Sequence, residues 1–209
     1  MNLTLIDYIT GKMIPDIGAE GSRQLFERFL VENRGYEKQD VLVDVPIKIM
    51  FKDEEYISKI DLIVCCNEKP LMAVRCIAGS LASYEREILA AARLVYDVQI
   101  PFSVSTNGKD ALVRDVICSK AIFGNIISDT QLLYSSNKEK NKKDRYEENV
   151  EWLELIPRKD EGIKFLESFK YTPFPLEKRE REMTIFRSYD LERNEQECDA
   201  SPFLTGQIL

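Results

Sequence analysis

Histidine is absent from the 209 residues, and that absence removes a whole branch of chemistry. Ser-His-Asp and Cys-His catalysis, His-containing zinc sites and imidazole proton transfer are excluded. Any reaction must run on carboxylates, Lys, Arg, Tyr, Ser or thiols. Gly-rich phosphate loops of either common pattern are also missing, which argues against a P-loop ATPase or a Rossmann dehydrogenase. No apolar run approaches the roughly 18 to 20 residues that span a bilayer, because charges break every long stretch, and the N-terminus carries no basic-then-apolar leader. The five cysteines, Cys65, Cys66, Cys76, Cys118 and Cys198, are odd in number and lack a CxxC pair. They read as free thiols in a reducing cytoplasm, with no membrane partner. Excess positive charge is lacking too, since 29 Lys and Arg stand against 36 Asp and Glu, a net charge of −7. A protein coated in basic residues for non-specific nucleic-acid binding is thereby excluded, while a local basic groove is not.

What is present suffices for a core: 44% hydrophobic and 10% aromatic residues suit one domain, or one domain with an extension. After an irregular lead-in at Asp7–Gly18, the spacing predicts a helix from about Glu20 to Arg34, stopped by Gly35, with Leu25, Phe26, Phe29 and Leu30 on one face. Three β-like runs follow, Val41–Phe51, Tyr56–Cys66 and Pro70–Ile77, whose short connections predict antiparallel neighbours. After Gly79 the pattern turns helical, with Ser80 or Ser83 as N-cap, a run to about Asp97 and a buried stripe of Tyr84, Ile88, Ala91 and Val95. Ile100–Ser105 and Ala111–Ile117, joined through Asn107-Gly108, predict a hairpin-type ending. This order, αβββαββ, predicts an α/β fold in which helices flank a mixed central sheet, unlike a doubly wound nucleotide fold.

Between Lys138 and Glu148 nine of eleven residues are charged, so the segment cannot bury apolar area and reads as a linker or solvated helix. A boundary is expected there. It divides an α/β core at 1–136 from a charged segment at 137–149 and a helical or irregular C-terminal extension at 150–209. Within the extension Trp152, Leu153, Ile156 and Phe165 supply apolar material, Lys159–Lys170 looks helical, and Glu177–Leu209 shows no clear pattern.

The informative chemistry is carboxylate-based. Asp61 lies inside the apolar run Ile60-Asp61-Leu62-Ile63-Val64, where an ionised carboxylate is costly unless it is paired or holds a metal. The plainer alternative is a solvent-facing strand residue or a salt bridge with Lys59 or Arg75. Arg75 is set similarly in Ala73-Val74-Arg75-Cys76-Ile77, and pairing of the two strands through the short turn at Asn67–Lys69 would make it a neighbour of Asp61. Cys65 and Cys66, adjacent on a strand, point to opposite faces and read as small buried residues. Pro15-Asp16 precedes the first helix and reads as a turn, and Lys138–Arg145 reads as a solvated surface interrupted by acids.

Gly18–Gly124 resembles the N-terminal nuclease-like domain of type I restriction enzyme R proteins, a branch of the PD-(D/E)XK, restriction-endonuclease-like superfamily. The residues that carry this are Glu20 with Arg23-Gln24, Gly35-Tyr36, Ser58-Lys59-Ile60-Asp61, Pro70–Cys76, Gly79-Ser80-Leu81 leading into Glu85-Arg86-Glu87, Ala91-Ala92-Arg93-Leu94, Gln99-Ile100-Pro101-Phe102 and Asn107-Gly108. The resemblance implies an αβββαβ core and magnesium-dependent DNA phosphodiester hydrolysis, with manganese as a substitute.

Carried over by residue, it implies that Asp61 and Glu20 ligate the metal, while the E-x-K motif falls on Ala73-Val74-Arg75. The motif's acid is missing and its lysine is an arginine, which keeps the charge but cannot serve as a general base. Catalysis would then lean on metal-bound hydroxide. The absent acid can migrate to the following helix. Taking ~100° per residue, Glu85 and Glu87 lie roughly 80° to either side of the buried stripe, so only one can face the cleft. Glu87 is preferred, and the alternative is that both are ordinary first-turn acids. The catalytic set is therefore Asp61, Arg75 and Glu87, with Arg23, Arg86 and Arg93 as nucleic-acid-binding residues. DNA and protein partners of a restriction system are expected. A type I R protein continues into a helicase motor, for which 209 residues leave no room, so a self-standing protein is expected. The competing reading is an inactive module, without a cofactor, that uses the same cleft to grip nucleic acid or a protein.

Overall fold

The computed structural model describes residues 4–51, 53–81, 83–118 and 155–199. In chain order its elements are β1 (Thr4–Ile6), β2 (Met13–Pro15), α1 (Glu20–Arg34), a 3-10 turn (Lys38–Asp40), β3 (Val41–Phe51), β4 (Glu54–Cys66), β5 (Lys69–Cys76), α2 (Glu85–Leu94), β6 (Phe102–Thr106), β7 (Ala111–Asp115), α3 (Lys159–Ser168) and α4 (Leu176–Asp199). Strands β3 to β7 form one five-stranded mixed sheet in sequence order. The expected α/β architecture with the order αβββαβ is the architecture found.

Local chemistry explains the connections. Asn67 and Glu68, both at positive φ, form a two-residue link between Cys66 and Lys69, the geometry that matches the twist of an antiparallel pair. Strand β6 runs parallel to β5, which requires a crossover, and α2 supplies it. Asn107 Oδ1 accepts from the backbone N–H groups of Lys109 and Asp110, closing the β6–β7 turn. Gly35, at φ 77, ends α1 in the left-handed conformation, which glycine adopts without a Cβ clash.

Two apolar layers sandwich the sheet. On one face Leu62, Val64, Val74 and Val104 pack with Phe26 and Leu30 of α1 and with Leu155, Ile156 and Leu166 of the C-terminal region. On the other, Ile47, Ile60, Ile63 and Ala73 pack with Ile88 and Ala91 of α2 and Phe186 of α4. The region after 150 therefore contributes to both faces of the core. The charged run Lys138–Glu148, Trp152, Leu153 and the expected boundary at 137–149 lie outside the described residues.

Several boundaries differ from expectation. The lead-in holds the turn and second strand of the β1–β2 hairpin, whose strands are too short to show a period, and β4 starts at Glu54. Helix α2 begins only at Glu85, with Tyr84 in the cap position and no side-chain cap bond, so neither Ser80 nor Ser83 caps it. Its burial also wraps past the expected stripe to include Glu87, Ala90, Ala92 and Arg93, because it packs against the sheet and α4 together. The described part of the patternless tail is taken up by the 24-residue helix α4, Leu176–Asp199. Cys65, Cys66, Cys76 and Cys118 are free thiols.

Candidate functional site

A break in strand regularity creates the site. Strands β3 and β4 keep one register, yet the pair Asp44–Asp61 is skipped, and Asp44 sits at φ 53. Ile60 on one side of the break shares an apolar cluster with Ile63 and Cys65 on the other, so the inward alternation of β4 slips by one residue at Ile60-Asp61. Such a kink re-aims one side chain, here Asp61. Its Oδ1 accepts from Arg75 Nη1 at 2.8 Å and its Oδ2 from the Cys76 backbone N–H at 2.7 Å. Arg75 Nη2 donates to Glu87 Oε1 of α2 at 2.5 Å. Arg75 and Glu87 are both 0% exposed. Burial works against the charged form of Arg75, but Asp61, Glu87 and Asp190 outweigh it and hold its pKa above the ordinary value. Asp61, Arg75 and Glu87 are thus brought together, while Glu85 pairs with Arg114.

Helix α4 adds a residue that the sequence reading missed. Asp190, 0% exposed, accepts from the Ser58 hydroxyl at 2.8 Å and from the Tyr56 hydroxyl of β4, and its charge bears on Arg75. The available signal was an acid recurring at helical spacing from Phe186 and Glu182, a stripe that no hydrophobic pattern reveals.

Glu20 is committed elsewhere. Its carboxylate accepts from Arg23 Nη2 at 2.6 Å and Nε at 2.9 Å. Arg23, itself buried, also bridges Asp7 and Glu27, each at 2.6 Å. Three carboxylates therefore share one guanidinium. Burial drives the Asp7 carboxyl upward, but bonds from Thr10 and the charge of Arg23 bring it below the usual range. Burial raises Glu20 and pushes Glu27 up to about 7. Arg93 is buried as well, donating to the Val116 carbonyl at 2.9 Å and pairing with Glu182 at 3.1 Å. Of the three arginines expected to grip a nucleic acid, Arg86 is the exposed one.

Residues 18–128 match the family model described as the type I restriction enzyme R protein N terminus. The span covers more than half of the chain, including α1, α2 and the whole five-stranded sheet. The chain belongs to that family. No curated protein and no solved structure matches it.

The described residues do not fit a magnesium ion at Asp61 and Glu20. Mg²⁺ needs open carboxylate oxygens in near-octahedral array. Both oxygens of Asp61 are already engaged, one by a guanidinium, and Glu20 faces Arg23. Among the described residues no group of three or more His, Cys, Asp or Glu is arranged to hold a metal. Ala73, where the E-x-K acid would stand, is 0% exposed and packed among apolar residues. Among the described residues no helix is long and apolar enough to cross a membrane.

Proposed function

We propose that this chain is a restriction-system module that engages DNA through a nuclease-like core and does not hydrolyse it. Family membership supports the restriction-system role and, with it, DNA and protein partners. The observation that carries the loss of hydrolysis is the buried Asp61–Arg75–Glu87 bridge. A guanidinium held by two carboxylates occupies oxygens that a metal would need, and it has no proton to give up at neutral pH. Removing one partner of a buried pair leaves an uncompensated charge, so the bridge is held in place by the fold itself. The test is incubation of supercoiled plasmid with the purified chain in Mg²⁺ or Mn²⁺, beside a gel-shift measurement on the same DNA. Binding without nicking is the expected result. Metal-dependent nicking that disappears in Asp61→Asn would overturn the proposal and restore an active nuclease.

A further inference from the structure

Helix α4 lies outside the matched span and meets the sheet in an unusual way. Its buried residues among those described are Glu182, Phe186 and Asp190, spaced at every fourth position and so on one face. A helix docked by the hydrophobic effect would present Leu or Ile there, whereas two of these three are acids. Glu182 pairs with Arg93 of α2 at 3.1 Å. Asp190 accepts from the Tyr56 and Ser58 hydroxyls of β4 and bears on Arg75. Their Cα atoms are ~12 Å apart along the helix axis at 1.5 Å per residue.

The groups that donate to these carboxylates are the Arg93 guanidinium and the Tyr56 and Ser58 hydroxyls. Donors in that combination recognise phosphate oxygens of a nucleic-acid backbone. The acids of α4 therefore stand on a surface whose chemistry suits a phosphodiester chain. We propose that the face formed by Tyr56, Ser58 and Arg93 binds a nucleic-acid backbone, and that α4 covers it as a competing anion, with Glu182 and Asp190 in the place of phosphates. This inference rests on the DNA-engaging reading above and names the surface and its regulation. Apolar anchoring of α4 centres on Phe186, which is buried with Ile47, Ile60 and Ile88 and lies edge-on to Tyr56 at 6.5 Å, with Met183 and Ile185 partly buried beside it. A helix with one fully buried apolar side chain opens at lower cost than the sheet core.

The experiment uses the full chain and a fluorescein-labelled duplex oligonucleotide, read by anisotropy and by hydrogen exchange of residues 182–190. The double variant Glu182→Gln with Asp190→Asn keeps the shape of α4 and removes its competing charge, and its Kd for the duplex should fall by about tenfold or more. Adding Arg93→Gln should remove most of that gain. Phe186→Ala, which loosens α4 without altering charge, should shift Kd in the same direction and keeps the test open if the double variant misfolds. In the unmodified chain the duplex should accelerate exchange in 182–190 and leave α1 unchanged. Equal binding by all forms with α4 still protected would overturn the cover and leave the DNA-engaging reading standing. No binding by any form would overturn both.

Discussion

Glu27 shows how one buried residue carries the electrostatics of the N-terminal half. It is 0% exposed and shares Arg23 with Asp7 and Glu20. Its pKa is pushed up from 4.5 to about 7, chiefly by burial. Because the folded value is the higher one, the cost of ionising Glu27 is absent below the unfolded pKa, grows as pH rises through the window between the two, and is complete above the folded value. Glu27→Gln should therefore stabilise the protein by roughly 2–3 kcal/mol at about pH 8 and by almost nothing at about pH 4. Urea denaturation at the two pH values checks this, and an equal effect at both would refute it. Arg75 has the opposite logic. Arg75→Met leaves Asp61 and Glu87 facing each other without their cation, and should cost about 3–5 kcal/mol, seen as a lower urea midpoint. Asp61 and Arg75 were legible from the sequence because a charge inside an apolar strand is conspicuous. Glu27 was not, since an acid on an amphipathic helix looks like an exposed one until the β1–β2 hairpin covers it.

At the scale of elements, close approach decides more than propensity. The turn joining β6 and β7 presses on α1, and a Cβ at Gly108, φ 83, would lie 2.7 Å from the Ser22 carbonyl oxygen and 2.8 Å from Leu25 Cβ. Backbone cannot yield as a flexible side chain can. Gly108→Ala should cost about 1–3 kcal/mol, lowering the thermal midpoint, whereas Gly79→Ala, with open space around it, should change stability by less than about 0.5 kcal/mol. The sheet strands were readable because β-branched runs ended in turn residues at the correct intervals. Helix α4 was not, because its buried stripe of acid, Phe and acid has no apolar period. Which acid of α2 meets Arg75 depended on angular position, and Glu87 rather than Glu85 makes that contact.

For the whole molecule, the described C-terminal residues divide between the two faces. Leu155, Ile156 and Leu166 complete the α1 face, and Gly162 is packed so closely that a Cβ would lie 2.7 Å from Leu71 Cδ2. Helix α4 adds Phe186 to the other face. A chain ending at residue 128, which retains the family span, should fail to unfold cooperatively because both apolar faces lose part of their cover, Leu155, Ile156 and Leu166 from one and Phe186 from the other. A chain ending at residue 175, lacking α4 and residues 200–209, should keep a cooperative transition with a lower midpoint. Circular dichroism melts of the two fragments distinguish the outcomes, and cooperative unfolding of the shorter one would show the family span to be sufficient for the core.

The sequence by itself determined the chain order of the elements, the antiparallel pairing of the first three sheet strands, the closing hairpin and, once two of those strands pair, the nearness of Asp61 to Arg75. Those features follow from hydrophobic period, turn chemistry and short connections, all of which act within a few residues. Only the tertiary structure decided that Asp61 spends both oxygens on Arg75 and Cys76, that Glu20 turns to Arg23, that Arg23 and Arg93 lie inside, and that α4 reaches the site. These are contacts between residues as far apart as Ser58 and Asp190. Local pattern does not encode them, because a carboxylate on a helix looks the same whether it meets water or a guanidinium.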